Sequence, residues 1–297
     1  MGESTMTSIP LVRLVTLAPA IAYLASEGVP VRRYLRRAGL SIPSVERLET
    51  LVPLHQVCDF LSSVARAEGI NDLGLRVTGQ QGMEHLGVYG RLLAQALTLH
   101  DLIQTALEFS SLYNSGLRIW VERHEGQVRY CQKFAETLPQ DQLTEAIHFG
   151  LASAMATSRY ARGADWQPNR IELASDPIDL AAYFPGLADL PLSFNQPQTS
   201  IWFDLAMLST PLPAFDTHCP PADEKDRASF VTSAPAEDLV GQLEQAIESA
   251  LGHPKMSLGL TAAIIGTSPR TLQRRLTEQG ASFSRLLQGV RFQNAIR

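Results

Sequence analysis

The feature that most constrains this chain is a change in the spacing of its apolar residues. As far as Asn114 they recur at helical intervals. Leu54, Val57, Cys58, Leu61, Val64 and Ala65 form one such stripe, with Pro53 in the first turn and Gly69 at the end. From Leu117 the period drops to two. Leu117, Ile119 and Val121 alternate with Arg118, Trp120 and Glu122. After Glu125-Gly126, Val128, Tyr130 and Gln132 alternate with Arg129, Cys131 and Lys133. That pattern predicts a hairpin. Helices are expected over 10–26, 30–38, 53–68, 99–114 and 140–162, and short strands over 170–173, 192–194 and 200–203. The body is therefore expected to be α+β, helices with a small sheet.

The composition shifts between 209 and 236. Pro211, Pro213, Pro220, Pro221 and Pro235 surround the charged run Asp223-Glu224-Lys225-Asp226-Arg227, which reads as a linker. Beyond it Leu239, Val240, Leu243, Ile247 and Ala250 make a helical stripe that stops before Gly252. The expected division is a body over 1–208, a linker over 209–236 and an all-α segment over 237–297. Charge divides in the same way. From Gly252 onward seven basic residues, Lys255, Arg270, Arg274, Arg275, Arg285, Arg291 and Arg297, face one acid, Glu278. The whole chain carries −5, so an acidic body bears a basic tail, an asymmetry that suits a polyanionic partner at one end.

Within that tail, Ser257 to Gly280 reads SLGLTAAIIGTSPRTLQRRLTEQG. Leu258, Ala262 and Ile265 fall on one side of a short helix, although Gly259 and Thr261 are weak choices for a helix interior. Gly266 permits a tight turn, Ser268 is placed to cap the next helix, and Pro269 opens it. Two short helices around a glycine turn make a helix-turn-helix. At about 100° per residue, Leu272 and Leu276 face a core, while Arg270, Gln273, Arg274 and Thr277 share an arc of about 100° opposite. Arginine matches guanine edges and glutamine matches adenine edges in the major groove. Arg270, Gln273 and Arg274 are thus the expected base readers, with Thr271 and Ser282 on phosphates.

The residues Ser257, Leu258, Ala262, Gly266, Ser268, Arg270, Leu272, Arg274, Leu276, Gly280 and Phe283 resemble the first helix-turn-helix of AraC-type regulators. Arg291 and Ala295 match that family's connecting helix. The stretch LGVYGRLLAQALTLHDLIQTALEFSSLYNSG and the strands around LPLSFNQPQTSIWFDLAMLSTPLP look like the so-called arabinose-binding sensor domain of one AraC branch. The resemblance implies a transcription regulator, an activator by family habit. It would bind an operator in double-stranded DNA and respond to a small effector such as an amino acid, a fatty acid or another small carboxylate. It would act as a homodimer and, as an activator, engage RNA polymerase. The family carries a second helix-turn-helix beyond the helix opening at Ser282. The sequence reaches Arg297 inside that helix, so the second unit is expected to be absent from this chain.

Other constellations carry less. Cys58, Cys131 and Cys219 lack metal or disulfide spacing, and a reducing cytoplasm is the expected compartment. The apolar stretch 14–25 could pass for a signal-peptide core, but Pro19 interrupts it and helical sequence continues beyond. Glu145 and His148 share a helix face without a visible third ligand, and His218-Cys219 falls in the linker. No Walker loop, GxSxG or HExxH occurs, so no catalytic residues, metal or cofactor are expected and the chain is not read as an enzyme. No run reaches the length of a membrane span. Phe109, Tyr113, Trp120 and Tyr130 are the candidate lining of an effector pocket between the helix at 99–114 and the hairpin at 117–134.

Overall fold

The computed structural model describes residues 8–40, 48–78, 83–136, 138–184, 186–213, 220–251 and 256–296. His218, Cys219, Lys255 and Arg297, all singled out above, lie outside them.

The first described element is a strand rather than a helix. β1 (Leu11–Arg13) pairs antiparallel with β2 (Leu51–Pro53), Val12 opposite Val52. The expected helix over 10–26 is thus shortened to α1 (Ala18–Ser26), reached through a 3-10 turn at Leu14–Leu17. The strand's partner lies some forty residues away, so no local periodicity announces it. α2 (Val31–Arg37) follows, and α3 (Leu54–Glu68) runs directly from β2 and ends on Gly69 at φ 71°. That glycine satisfies the helix end in a left-handed conformation that side chains disfavour. α4 (Leu73–Thr78) and α5 (Gly87–Leu93) are short. α6 (Leu99–Tyr113) opens with a reciprocal capping box between Thr98 and Asp101.

The alternating segment forms the hairpin of β3 (Leu117–His124) and β4 (Gln127–Phe134). Both turn residues, Glu125 and Gly126, have positive φ, the geometry that matches strand twist in a two-residue hairpin. α7 (Gln140–Arg162) follows, then β5 (Arg170–Glu172), β6 (Leu192–Ser193) and β7 (Thr199–Asp204). The five strands lie in the order β3-β4-β7-β5-β6, antiparallel except for the β5–β6 pair. α7 packs against α3 and α4 and touches β4 and β7. The body is α+β, as the change of period requires.

The stretch expected to be a linker contains a helix. α8 (Glu224–Thr232) is capped by Asp223 and Asp226 in another reciprocal box, and its Phe230 is 1% exposed. Arg91 forms a two-pronged ion pair with Asp226, both N···O distances 2.8 Å. Its composition hid this helix, because Phe230 is its single buried anchor and its remaining residues are mostly polar. α9 (Leu239–Ser249), α10 (Leu258–Ile264), α11 (Pro269–Glu278) and α12 (Phe283–Ile296) complete an all-helical segment.

That segment shares a core with the start of the body. Ile9, Leu11 and Leu51 join Leu243, Ile247, Leu272 and Leu276 in one cluster. The Ile9 amide donates to Gln242 Oε1 at 2.6 Å, with both residues buried. A Cβ on Gly266 would come within 2.4 Å of His55 on α3, so the turn of the helix-turn-helix rests directly on the body.

Candidate functional site

Two places in the fold stand out, a mostly apolar cavity in the body and the helix-turn-helix. The cavity holds about 140 Å³ between α6, α7, α3 and the inner face of the β3–β4 hairpin. Parity along the strands decides which residues reach it. Leu117, Ile119, Tyr130, Gln132 and Phe134 point inward and line it. α6 contributes Ser110 and Tyr113, and α7 contributes Phe149, Gly150 and Ser153.

Of the four aromatics expected there, Tyr113 and Tyr130 are in the lining and Phe109 and Trp120 are not. Trp120 stands on the other face of β3, where its indole Nε1 donates to Glu122 Oε1 at 2.8 Å. That bond, with Arg129, holds the Glu122 carboxyl down at about 2. Phe109 turns away toward α8, its ring 6.4 Å from that of Phe230 and under the Arg227 guanidinium. The missed lining residues Ile119 and Gln132 were accessible by counting alternation from Leu117. Tyr89 and Ser153 come from helices whose packing partners the sequence does not name.

The polar groups in the cavity wall are few and mostly engaged. Gln132 Nε2 donates to the Gly150 carbonyl at 3.1 Å, and a Cβ on Gly150 would sit 2.5 Å from Gln132 Oε1. Asn114 Oδ1 accepts from the Gly116 amide, and the Tyr89 hydroxyl reaches the Ala106 carbonyl at 3.4 Å. The rings of Tyr89 and Tyr113 stack with centroids 4.8 Å apart. Thr16 is the side chain best placed to engage the Tyr113 hydroxyl. By strict hydrogen-bond geometry, however, Tyr113 Oη and Ser153 Oγ are both buried without a partner. Burial raises the pKa of the Tyr89, Tyr113 and Tyr130 hydroxyls, so all three stay protonated at neutral pH.

Behind the cavity wall lies the Glu145–His148 pair on α7. Glu145 Oε2 accepts from the Gly74 amide at 2.8 Å and stands 3.9 Å from His148 Nδ1, while His148 Nε2 lies 3.1 Å from Ser175 Oγ. Burial pushes the Glu145 carboxyl up to about 7 and His148 down to about 4. Among the described residues no group of three or more potential ligands gathers to hold a metal ion.

At the helix-turn-helix, Gly266 has φ 73° and Ser268 accepts from the Thr271 amide at 3.1 Å, with Pro269 opening α11. Leu272 and Leu276 are fully buried, and each contributes about 1.5–3 kcal/mol to seating the helix. Arg270, Gln273, Arg274 and Thr277 are exposed. Thr271 is half-buried, its hydroxyl 2.9 Å from that of Ser268, and Ser282 Oγ lies 3.4 Å from the Arg285 amide at the start of α12. Arg275 is held to Glu278 at 3.3 Å, whereas Arg274 reaches the same carboxylate only at 3.9 Å. α12 buries Leu286 and Val290 against the rest of the segment, and Phe292 and Ile296 stand exposed.

A family profile described as the arabinose-binding domain of AraC transcription regulators, N-terminal, matches residues 28–212. The match spans α2 to the residues after β7 and contains most of the cavity wall. It ends before α8 and the helix-turn-helix. Among curated proteins none matches the chain. Among solved structures, the transcriptional regulator CdpR from Pseudomonas aeruginosa is similar at 18% identity, over 95% of this chain and 84% of that one, with a TM-score of 0.47.

Proposed function

This chain belongs to the family defined by the arabinose-binding N-terminal domain of AraC transcription regulators, and on that premise we propose that it is a sequence-specific DNA-binding regulator that answers to a small molecule held in its body. The observation that carries the reading is the exposed set Arg270, Gln273 and Arg274 on one face of a capped helix, with Leu272 and Leu276 buried on the other. Such a face can enter a major groove and hydrogen-bond to base edges. Thr271 in the first turn of α11 and Ser282 ahead of α12 stand at the positive ends of helices, which favour phosphate.

The cavity supplies the sensing. It sits where α6 meets the hairpin, and its wall is continuous with the route to the reading helix. Tyr89 and Tyr113 belong both to the lining and to the cluster that contains Phe230 of α8. α8 leads into α9, which packs on α12 and on β2. A ligand that shifts the tyrosine pair thus acts on the helix joining body to reader. The family's effectors suggest an amino acid, a fatty acid or another small carboxylate. The protein would work in the cytoplasm as a homodimer, because one helix-turn-helix reads too few base pairs for useful selectivity. As an activator it would engage RNA polymerase. In the rival reading the body only dimerises and DNA binding is constitutive; the cavity with its unpartnered hydroxyls favours a sensor.

The test is enrichment of random-sequence duplexes on the full chain. The reading expects a recurring sequence, lost when Arg270 and Arg274 are both replaced by Ala. Enrichment without any recurring sequence would remove the regulator from the account.

A further inference from the structure

Among the described residues that line the cavity there is no Asp, Glu, Lys, Arg or His. The buried cation near the wall, Arg13, is committed elsewhere: its guanidinium donates to the backbone oxygens of Leu112, Glu49 and Phe230 and to Ser233. A carboxylate placed in this cavity would lose its hydration with no cation to compensate. A sugar fares no better. Asn114, Gln132 and Tyr89 already spend hydrogen-bonding groups on backbone partners. Of the hydroxyls in the lining, Tyr113 Oη and Ser153 Oγ are fully buried without a partner. Most of the wall is aliphatic or aromatic, so a polyol, with hydroxyls on every side, would bury several of them unpaired, each at a cost. Size sets a further limit. At about 140 Å³ the space matches an engineered apolar cavity of about 150 Å³ that holds one benzene.

We propose that the cavity takes a small neutral molecule, one ring or a short chain, bearing a single hydroxyl or carbonyl that pairs with Tyr113 Oη or Ser153 Oγ. This rests on the reading of the cavity as the sensing site and replaces the carboxylate class expected from the family. The apolar part of such a ligand fills the space between Ile103, Ala106, Ile119 and Phe149, and its polar group satisfies a hydroxyl that is otherwise orphaned. Occupancy stiffens the Tyr89–Tyr113 stack, which belongs to the same apolar cluster as Phe230.

Calorimetric titration of the full chain with p-cresol, toluene, benzoate and arabinose tests this. p-Cresol is expected to bind about tenfold more tightly than toluene, the difference being one hydrogen bond. In the double variant Tyr113→Phe, Ser153→Ala the two should bind alike, with toluene unchanged, which also shows that the cavity still forms. Ala106→Leu, which fills the space, should abolish both. Benzoate or arabinose binding as tightly as p-cresol would overturn the ligand class while leaving the sensor reading intact. A p-cresol preference that survives in the double variant would overturn the assignment of the two hydroxyls. Failure of all four probes to bind would overturn both the ligand class and the sensing role of the cavity.

Discussion

The guanidinium of Arg13 lies over the ring of Phe230, its Cζ 3.9 Å from the centroid, and its Nη2 donates to the Phe230 carbonyl at 2.8 Å. One residue of β1 thus grips both the side chain and the backbone of α8, more than 200 positions later. Burial lowers the Arg13 pKa to about 10, against the opposing pull of Glu49, so the group stays charged at neutral pH. Phe230→Ala removes the apolar anchor of α8 and is expected to cost about 3–5 kcal/mol. Arg13→Ala should cost about as much, by leaving several buried carbonyls without their donor. Hydrogen exchange should show the amides of 224–232 losing protection in both variants. Unchanged protection would mean that α8 is held by its charged contacts to Arg91 instead.

The Glu145–His148 pair predicts opposing pH effects. The Glu145 carboxyl is raised from 4.5 to about 7, so its contribution to stability is full below 4.5 and is lost as pH rises through about 7. His148 is lowered from 6.5 to about 4, so its contribution is full above 6.5 and is lost as pH falls through about 4. The two slopes offset one another between about 4.5 and 6.5. Glu145→Gln removes one of them. Relative to the natural chain, that variant should gain on the order of 1–3 kcal/mol as pH rises from 4.5 to 8. Denaturant melts across this range give the difference directly, and a constant difference would contradict the buried-carboxyl account.

Two glycines separate close packing from helix propensity. A Cβ on Gly74 would lie 2.1 Å from the Glu145 backbone oxygen, between α4 and α7. Gly74→Ala should therefore destabilise by about 1–3 kcal/mol or more. Gly259, inside α10, would meet nothing nearer than Ser257 Oγ at 3.9 Å. Gly259→Ala should stabilise by about 0.5–1 kcal/mol. Melting temperatures moving the same way in both would break the argument.

Local pattern made much of this molecule readable. The hairpin, its Glu125-Gly126 turn, α7, and the cap at Ser268 followed by Pro269 all follow from spacing and from residues with a single conformational use. What escaped depends on distant partners. β1 exists because Val12 meets Val52, and α8 is a docked helix because Phe230 meets Arg13 and Phe109. The cavity's position was legible in the meeting of α6 with the hairpin. Its lining is legible only in part: alternation from Leu117 points Ile119 and Gln132 inward and Trp120 outward, whereas aromatic character alone selects Trp120. The chemistry of the wall became visible only once the partners of each hydroxyl and amide were known.

On α11 the arginines should separate. Arg274 is exposed and only loosely tied to Glu278, so Arg274→Ala is expected to cost about 1–3 kcal/mol and to relax preference at one operator position. Arg275 is partly buried and paired with the same carboxylate, so its loss should weaken binding evenly across sequences. Fluorescence anisotropy on single-base variants of an enriched duplex distinguishes the two patterns. If Arg274→Ala leaves every affinity unchanged, the reading face lies elsewhere.

The central claim, that occupancy of the cavity governs the reading helix, is met most directly by one affinity measured twice. The full chain is titrated onto its enriched duplex at fixed salt, with and without a saturating compound that binds the cavity. The account predicts affinities that differ by about fivefold or more, the lower end of typical coupling between two sites. Equal affinities would contradict it, leaving a body that holds the reading helix in place without instructing it.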